Sequence, residues 1–489
     1  MLETIQDQLM TEPLMWTAIA IGVIVAVLTL VWGLSGFGRS RKTGVPPPGQ
    51  SPSPPPDVTG KTMPPAPPQQ SQPSQTPRRR AEPPGSADGG MMDDMEVEAE
   101  PFEAEPKIAY DRSPAEASRE VSVGVDHEDH FVVTVHYGTD REDTGAESDP
   151  DDRFNCDRAR PTDPSAIVTY GSCTVSIPKT HQVGKLEAPS WLRSAQPSKH
   201  VLLLGLETMD AAAFFEAVKK ATGTRKQAFV FVHGFSVSFE DAARRTAQLA
   251  FDLKFDGAPI FFSWPTEVVG FTNPDPTAYS EAENNARWAT QHFRVFLQDV
   301  IRKTGAETVH LIAHSMGNRI VSDALMELFW SLTDAEKNRI GEVILTAPDI
   351  DADVFVDQIA PRITAMNSRV TLYASDRDRA LASSKTVHGY PRIGDFGAIQ
   401  LMHALPARLE VVDASLVDTD SFGHSYYGNS ESVISDLCHL VLTGSRAHGR
   451  TLTLDGMKTA KGEALWRVKR ETQLDQVWAS VSKDIGTLA

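Results

Sequence analysis

Thr308-Val309-His310-Leu311-Ile312-Ala313-His314-Ser315-Met316-Gly317-Asn318-Arg319 is the stretch on which the reading of the fold turns. An apolar run of strand character closes on Ala313, x-Ser-x-Gly follows, and the residues beyond have a helical pattern. A serine held at a sharp strand-to-helix turn has its hydroxyl pushed clear of the sheet, where a histidine can reach it. Such a turn crowds the backbone, so its flanks must be small, as Ala313 and Gly317 are. Alanine stands where glycine is usual at the first flank, and it is the next smallest residue. A bare x-Ser-x-Gly is a weak signal. Its place between a strand and a helix strengthens it.

Outward from this turn, the chain from about His200 alternates between two periodicities. Strands are expected at 201–206, 228–233, 259–264, 309–314, 343–347, 370–374 and 409–412. Helices are expected at 211–221, 239–253, 282–303, 316–330 and 354–359. Ser238-Phe239-Glu240-Asp241 resembles a helix start, with an acid three residues after the hydroxyl. Alternation of this kind implies right-handed crossovers and an α/β fold: a mostly parallel central sheet with helices on both faces. Ligands of such sheets bind at the carboxyl ends of the strands. Upstream, residues 120–198 read as a strand-rich extension, with one strand over 131–137 and another apolar stretch ending at Pro178. Downstream, a C-terminal extension over 445–489 contains Leu465-Trp466-Arg467-Val468, which suits an added edge strand.

The remaining 119 N-terminal residues differ in kind. After a short acidic tail (1–13), LMWTAIAIGVIVAVLTLVWGL over 14–34 carries no charge, and the next one is Arg39. A helix of this length spans the roughly 30 Å hydrocarbon core at 1.5 Å per residue. Trp16 and Trp32 fall near its two ends, as interfacial aromatics do. A cleaved signal peptide fits poorly, because Glu3, Asp7 and Glu12 precede the stretch with no Lys or Arg. Arg39, Arg41 and Lys42 follow it, so the positive-inside rule places the bulk of the chain in the cytoplasm, as a single-pass inner-membrane protein. Residues 35–119 are proline-rich and then acidic, too poor in apolar surface to offset their ordering entropy; a flexible tether is expected.

The net charge of −18 argues against nucleic acid as a partner. No Walker loop, dinucleotide fingerprint or internal repeat is present. The three cysteines, Cys156, Cys173 and Cys438, lack metal-ligand spacing, and their odd number argues against a disulfide framework, a Cys156–Cys173 bridge remaining open. No metal or cofactor is called for.

A serine hydroxyl needs a base to take its proton and an acid to orient that base, and in this architecture the chain order is Ser, acid, His. Beyond Ser315 an expected strand end leads into Ser375-Asp376-Arg377-Asp378. Asp378 is preferred as the acid for its offset to Ala380-Leu381, with Asp376 the alternative. His424, in the loop after the last strand of the alternating region, is the base candidate; His388 and His403 precede that strand. Two backbone N–H groups would form an oxyanion hole, one on Met316 directly after the nucleophile and one on Phe235 after the His233-Gly234 pair. His233, Gly234, Trp264 and Tyr279 are candidates for lining the substrate pocket, with core packing an equal reading for the two aromatics. Asp349 and Asp351 suit helix capping better than acid catalysis.

With these residues in place, the region from about Tyr137 to Leu442 resembles a bacterial alpha/beta hydrolase family of unknown function, domain of unknown function nine hundred. The blocks that carry the resemblance are Tyr137-Gly138-Thr139-Asp140-Arg141, Tyr170-Gly171-Ser172-Cys173-Thr174-Val175-Ser176-Ile177-Pro178, Val232-His233-Gly234-Phe235 and Phe262-Ser263-Trp264-Pro265. They continue with Ala313-His314-Ser315-Met316-Gly317-Asn318-Arg319, Ala347-Pro348-Asp349-Ile350-Asp351, Ser375-Asp376-Arg377-Asp378 and Gly423-His424-Ser425-Tyr426. The early blocks matter most, since general lipases lack them. The resemblance implies a serine hydrolase domain (120–444) with Ser315, an aspartate near Asp378, and His424, and gives no substrate. A small-molecule or lipid-like acyl ester is the expected substrate. The alternative is an inactive hydrolase-fold scaffold held at the membrane.

Overall fold

Gln227–Val232 (QAFVFV) and Ala258–Ser263 (APIFFS) are buried at all six positions each, as strands covered on both faces must be. The computed structural model that shows this describes residues 124–145, 152–189, 194–269, 276–366, 369–400, 405–406, 408–417, 424–459 and 461–487. The expected span over 14–34 and the tether over 35–119 lie outside the described residues. Among the described residues, no helix is long and apolar enough to cross a membrane.

In chain order the strands are β1 (Val125–Asp126), β2 (His130–Thr139), β3 (Arg141–Asp143), β4 (Phe154–Arg158), β5 (Thr169–Pro178), β6 (Leu203–Met209), β7 (Gln227–Val232) and β8 (Ala258–Ser263). They continue with β9 (Thr308–His314), β10 (Ile340–Thr346), β11 (Arg369–Ala374), β12 (Leu409–Asp413), β13 (Leu454–Lys458) and β14 (Ala464–Val468). The main sheet runs β13-β14-β12-β11-β10-β9-β7-β8-β2-β5-β6, with β1 on β2 and a separate β3–β4 pair. From β14 through β12, β11, β10, β9, β7 and β8 to β2, every neighbouring pair is parallel. Antiparallel pairing is confined to the two flanks, β2–β5–β6 at one and β13–β14 at the other.

Seven longer helices cover the sheet: α1 (Ala211–Ala221), α2 (Phe239–Asp252), α3 (Pro276–Lys303), α4 (Gly317–Ser331), α5 (Arg379–His388), α6 (Glu431–Thr443) and α7 (Leu474–Thr487). Three of them start at a side-chain cap: Asp210 accepts from the Ala213 N–H, Ser238 from Asp241, and Asp378 from Leu381. Phe214, Phe293, Phe296 and Ile320 from α1, α3 and α4 pack into one core; Phe239, Ala247, Val433 and Val477 from α2, α6 and α7 pack into the other. The sheet is thus buried on both sides, and its parallel strands all end at one rim.

Two expectations are corrected. The strand expected at 201–206 begins and ends later, at Leu203–Met209, because it is an antiparallel edge partner of β5 and follows that strand's register. The stretch over 354–359 is one part of a longer winding, in which a helical turn at Ala352–Val354 leads into a π-type segment at Phe355–Ile359 and a further turn at Ala360–Thr364. Cys156 and Cys173 are both free thiols.

The C-terminal extension is part of the same sheet. Leu465-Trp466-Arg467-Val468 falls in β14, which pairs in parallel with β12. Beneath it the Arg450 side chain, fully buried, donates from Nε to Asp436 Oδ1 at 3.0 Å and from a terminal nitrogen to Glu410 at 3.3 Å. Asp436 also accepts from the hydroxyls of Tyr373 and Thr453. An unpaired charge left in such a place is costly. Arg450→Met is therefore expected to lower the unfolding free energy by about 3–5 kcal/mol, read from the urea midpoint of the full chain.

Candidate active site

The peptide geometry at the end of β9 departs from both strand and helix. Ser315 has φ +53, a left-handed conformation that a residue with a side chain adopts only when its surroundings hold it there. Here they do. The Ser315 N–H donates to the Thr346 carbonyl at 3.0 Å, and its own carbonyl accepts from the side-chain nitrogen of Asn318 at 2.9 Å and from the Asp349 N–H at 3.3 Å. A side chain at Gly317 would put its Cβ 2.4 Å from the His233 carbonyl oxygen and 2.6 Å from that of Val232. The second small flank is therefore required by the first turn of α4 lying directly on the end of β7.

That approach also brings the loop after β7 onto the turn at Ser315. A Cβ on Gly234 would fall 2.8 Å from the Ser315 Cβ and 3.1 Å from His314 Nδ1, so only glycine lets this backbone come so close. Phe235 follows it. Among the described residues, no backbone acceptor takes the N–H of Phe235 or of Met316.

His424 Nδ1 lies 2.7 Å from Asp378 Oδ2, in a contact with the carboxylate buried and the imidazole 15% exposed. Asp378 Oδ1 is meanwhile used by the Leu381 N–H, so one carboxylate both starts α5 and faces His424. Asp376 is exposed and takes no part. His388 is bound elsewhere, to Glu283 and Ser384, and His403 lies outside the described residues.

Three contacts seat the His424 loop beside Ser315. His314 Nε2 donates to the His424 carbonyl at 3.0 Å, with the two rings 4.6 Å apart. Burial, reinforced by the neighbouring His424, pushes the His314 pKa well below the ordinary histidine value, so the ring is neutral and its proton is fixed by that carbonyl. The Tyr426 hydroxyl donates to the Tyr373 carbonyl and accepts from the Ala347 N–H, tying the loop to the ends of β10 and β11. Arg245, buried on α2, donates to the Gly428 carbonyl and to Asn429.

Two residues expected to line the pocket face inward instead. Trp264 is 0% exposed; its indole N–H donates to the His233 carbonyl at 2.8 Å, and its ring lies parallel to the His233 imidazole. It is core because β8 is covered on both faces to its very end. His233 is buried with it, its ring bonded to neighbouring strands and loops, so it offers substrate no surface. Tyr279 does keep a partly exposed ring edge, packed against Phe235 with ring centroids 5.5 Å apart.

The residue least expected is Asp349. Asp351 does cap, accepting from the Asp353 and Val354 N–H groups, but Asp349 does not. Its buried carboxylate accepts from Arg392 Nε at 2.7 Å, from the Ser384 hydroxyl at 2.6 Å and from Tyr279, with a terminal Arg319 nitrogen at 3.3 Å. Arg319 in turn reaches the Asp349 carbonyl and Glu283. The cluster links the turn at Ser315, α5 and the Phe235 loop. The sequence signal was available, since Arg319 closes the block Ala313–Arg319 and Asp349 stands within the block Ala347–Asp351, but spacing alone does not pair them.

Burial favours the neutral form of Asp349, yet Arg319 and Arg392 outweigh it and hold the pKa at about 2. Since the folded value lies below the unfolded one, the resulting stability is present above about pH 4 and is lost as pH falls towards 2. The expected size is about 2 kcal/mol. Urea titrations across that acid range should show this slope in the wild type and lose it in Asp349→Asn; equal slopes would show that the carboxylate is not held this way.

Residues 209–446 match the family described as alpha/beta hydrolase of unknown function. Solved structures with some similarity include an arylesterase (9% identity, 45% of this chain and 75% of that chain, TM-score 0.23). Others are carboxylesterase CesB from Bacillus subtilis (11%, 46% and 87%, 0.23) and a thermostable esterase from Pseudomonas putida ECU1011 (12%, 67% and 88%, 0.23). Likenesses of that TM-score carry no argument about chemistry. No curated protein matches the chain. The parallel sheet and the strand-to-helix turn at Ser315 agree with the match of residues 209–446 to the family described as alpha/beta hydrolase of unknown function (DUF900).

Proposed function

We propose that this protein is a serine hydrolase that cleaves a carboxylic ester or thioester through an acyl-enzyme. The observation that carries the reading is the 2.7 Å contact of His424 Nδ1 with the buried Asp378 carboxylate, in a loop clamped to the residue before Ser315. On this reading Asp378 accepts the Nδ1 proton and leaves Nε2 as the base. His424 takes the Ser315 proton as Oγ attacks the substrate carbonyl, and the N–H groups of Phe235 and Met316 receive the oxyanion. His424 then protonates the departing alcohol or thiol, and a water activated by the same ring releases the acid. Each oxyanion donor would lower the barrier by roughly 3 kcal/mol.

A helix over 14–34 and the tether over 35–119 would hold the domain on the cytoplasmic side of the inner membrane. A lipid-derived acyl group is then the substrate class nearest to hand. Tyr279, beside Phe235, is the candidate for contacting it.

The test is labelling with a fluorophosphonate, in which Ser315 Oγ bonds to phosphorus and fluoride leaves. The wild type is expected to label at Ser315, and Ser315→Ala not at all. Asp378→Asn should lose a factor of about 10³–10⁴ in labelling and ester turnover, whereas Asp376→Asn keeps wild-type rates. A folded wild type that takes no label would mark the domain as a scaffold. Equal losses from Asp376 and Asp378 would remove the assignment of the acid.

A further inference from the structure

The block Tyr137-Gly138-Thr139-Asp140-Arg141 plays no part in the chemistry described so far, yet it ends in one of the largest fully buried side chains of the protein. Arg141, the first residue of β3, runs beneath the loop after β7. Its Nε donates to the Ser263 hydroxyl oxygen at 2.8 Å, and a terminal nitrogen donates to the Val237 carbonyl at 2.7 Å. The other terminal nitrogen donates to the Asn155 carbonyl at 3.2 Å. Burial lowers its pKa only to about 10, so it is a cation at any working pH.

The nitrogen that reaches Val237 also lies 3.4 Å from His233 Nε2. Two more groups converge on Nε2: the Trp264 N–H at 3.1 Å and the Ser263 hydroxyl at 3.1 Å. Ser263 accepts from Arg141, so its own proton is free to point at the imidazole. Arginine and a backbone amide can only donate, so Nε2 must present its lone pair. Burial, with Arg141 beside it, pushes the His233 pKa far below the ordinary value, and the ring is neutral. A neutral ring with Nε2 as acceptor carries its proton on Nδ1. Nδ1 lies 2.9 Å from the Gly234 carbonyl oxygen, so that carbonyl accepts the proton.

The consequence lies in one peptide unit. The Gly234 carbonyl and the Phe235 N–H belong to the same trans peptide and point in opposite directions. Holding the carbonyl against His233 turns the N–H the other way. We propose that His233 is a positioning residue that aims the Phe235 N–H at the reacting centre, and that Arg141 fixes the tautomer it needs to do so. The proposal rests on the hydrolase reading for its purpose, but the peptide's direction can be tested without it. It also accounts for the histidine of His233-Gly234 being buried: its work is done on the backbone.

Two near-isosteric substitutions separate this device from plain strand bracing. His233→Asn keeps a donor at the Nδ1 position and loses the Nε2 acceptor. His233→Gln keeps an acceptor near Nε2 and loses the donor to Gly234. With an oxyanion donor worth a factor of about 10²–10³, His233→Gln should take the fluorophosphonate at least about 100-fold more slowly and lose kcat with little change in KM, while His233→Asn stays within about tenfold. Bracing of β7 to β8 through Nε2 predicts the reverse order, and that order would overturn the inference.

Crystal structures of the two variants give a readout independent of activity. The Gly234 carbonyl should still face residue 233 in His233→Asn and rotate away in His233→Gln. An unmoved peptide in His233→Gln overturns the proposal even if the wild type is an active hydrolase. A rotated peptide in a protein whose wild type takes no label supports the device and counts against the hydrolase instead. If His233→Gln does not fold, Arg141→Lys serves. It keeps the charge but loses the fork, and ¹⁵N-histidine spectra should show the Nδ1 proton partly shifted to Nε2; an unchanged tautomer would refute the role given to Arg141.

Discussion

A residue with a side chain in the left-handed region costs of order 1–3 kcal/mol unless its neighbours leave it no alternative. Ser315 is constrained from three sides. Asn318 and Asp349 occupy its carbonyl, Thr346 takes its N–H, and the first turn of α4 is pressed onto the carbonyls of Val232 and His233 where only Gly317 fits. The same pressure brings Gly234 against the serine. One crowded turn thus decides where the hydroxyl points, which residue may follow it by two, and how near the loop after β7 can come.

Charge buried around this turn does the fastening. Asp349 joins α5, the long helix α3 through Tyr279, and the turn at Ser315, with Arg319 and Arg392 as its partners. Arg141 joins the start of β3 to β8 and the loop after β7. Both are ionised groups taken out of water, which is tolerable only because each has several well-placed partners. A wholly apolar rim would pack, but it would not fix the direction of individual peptides and imidazoles. Directional bonds from multi-donor side chains can.

Much of the fold was legible in the sequence because the relevant signals are local. β7, β8 and β9 are short apolar runs, α1, α2 and α5 begin behind Asp210, Ser238 and Asp378, and the turn at Ser315 is flanked by small residues. Asp378 was preferred over Asp376 from its distance to Ala380-Leu381, and the capping bond from the Leu381 N–H is the physical form of that offset. The strand at Leu465–Val468 was visible as alternation, but it is not the edge expected of it, since β13 lies outside it and β12 pairs with it on the inner side. Asp349 was taken for a cap, His233 for a pocket wall, and Trp264 was left between pocket and core, because sequence shows that a residue is near a strand end but not which way it faces.

By itself, then, the order of residues determined the alternation of strands and helices, the serine turn, and the chain order of Ser315, Asp378 and His424. These follow from spacing, size and backbone preference, which act over a few neighbours. Tertiary structure alone decided that Asp378 meets His424 across 46 positions, that Arg141 reaches His233 across 92, and that Arg319 and Arg392 converge on Asp349. Such pairings are selected by exclusion of water and by the geometry of several donors around one acceptor. No stretch of contiguous sequence contains that geometry; it exists only after the sheet has brought its strand ends to a common rim.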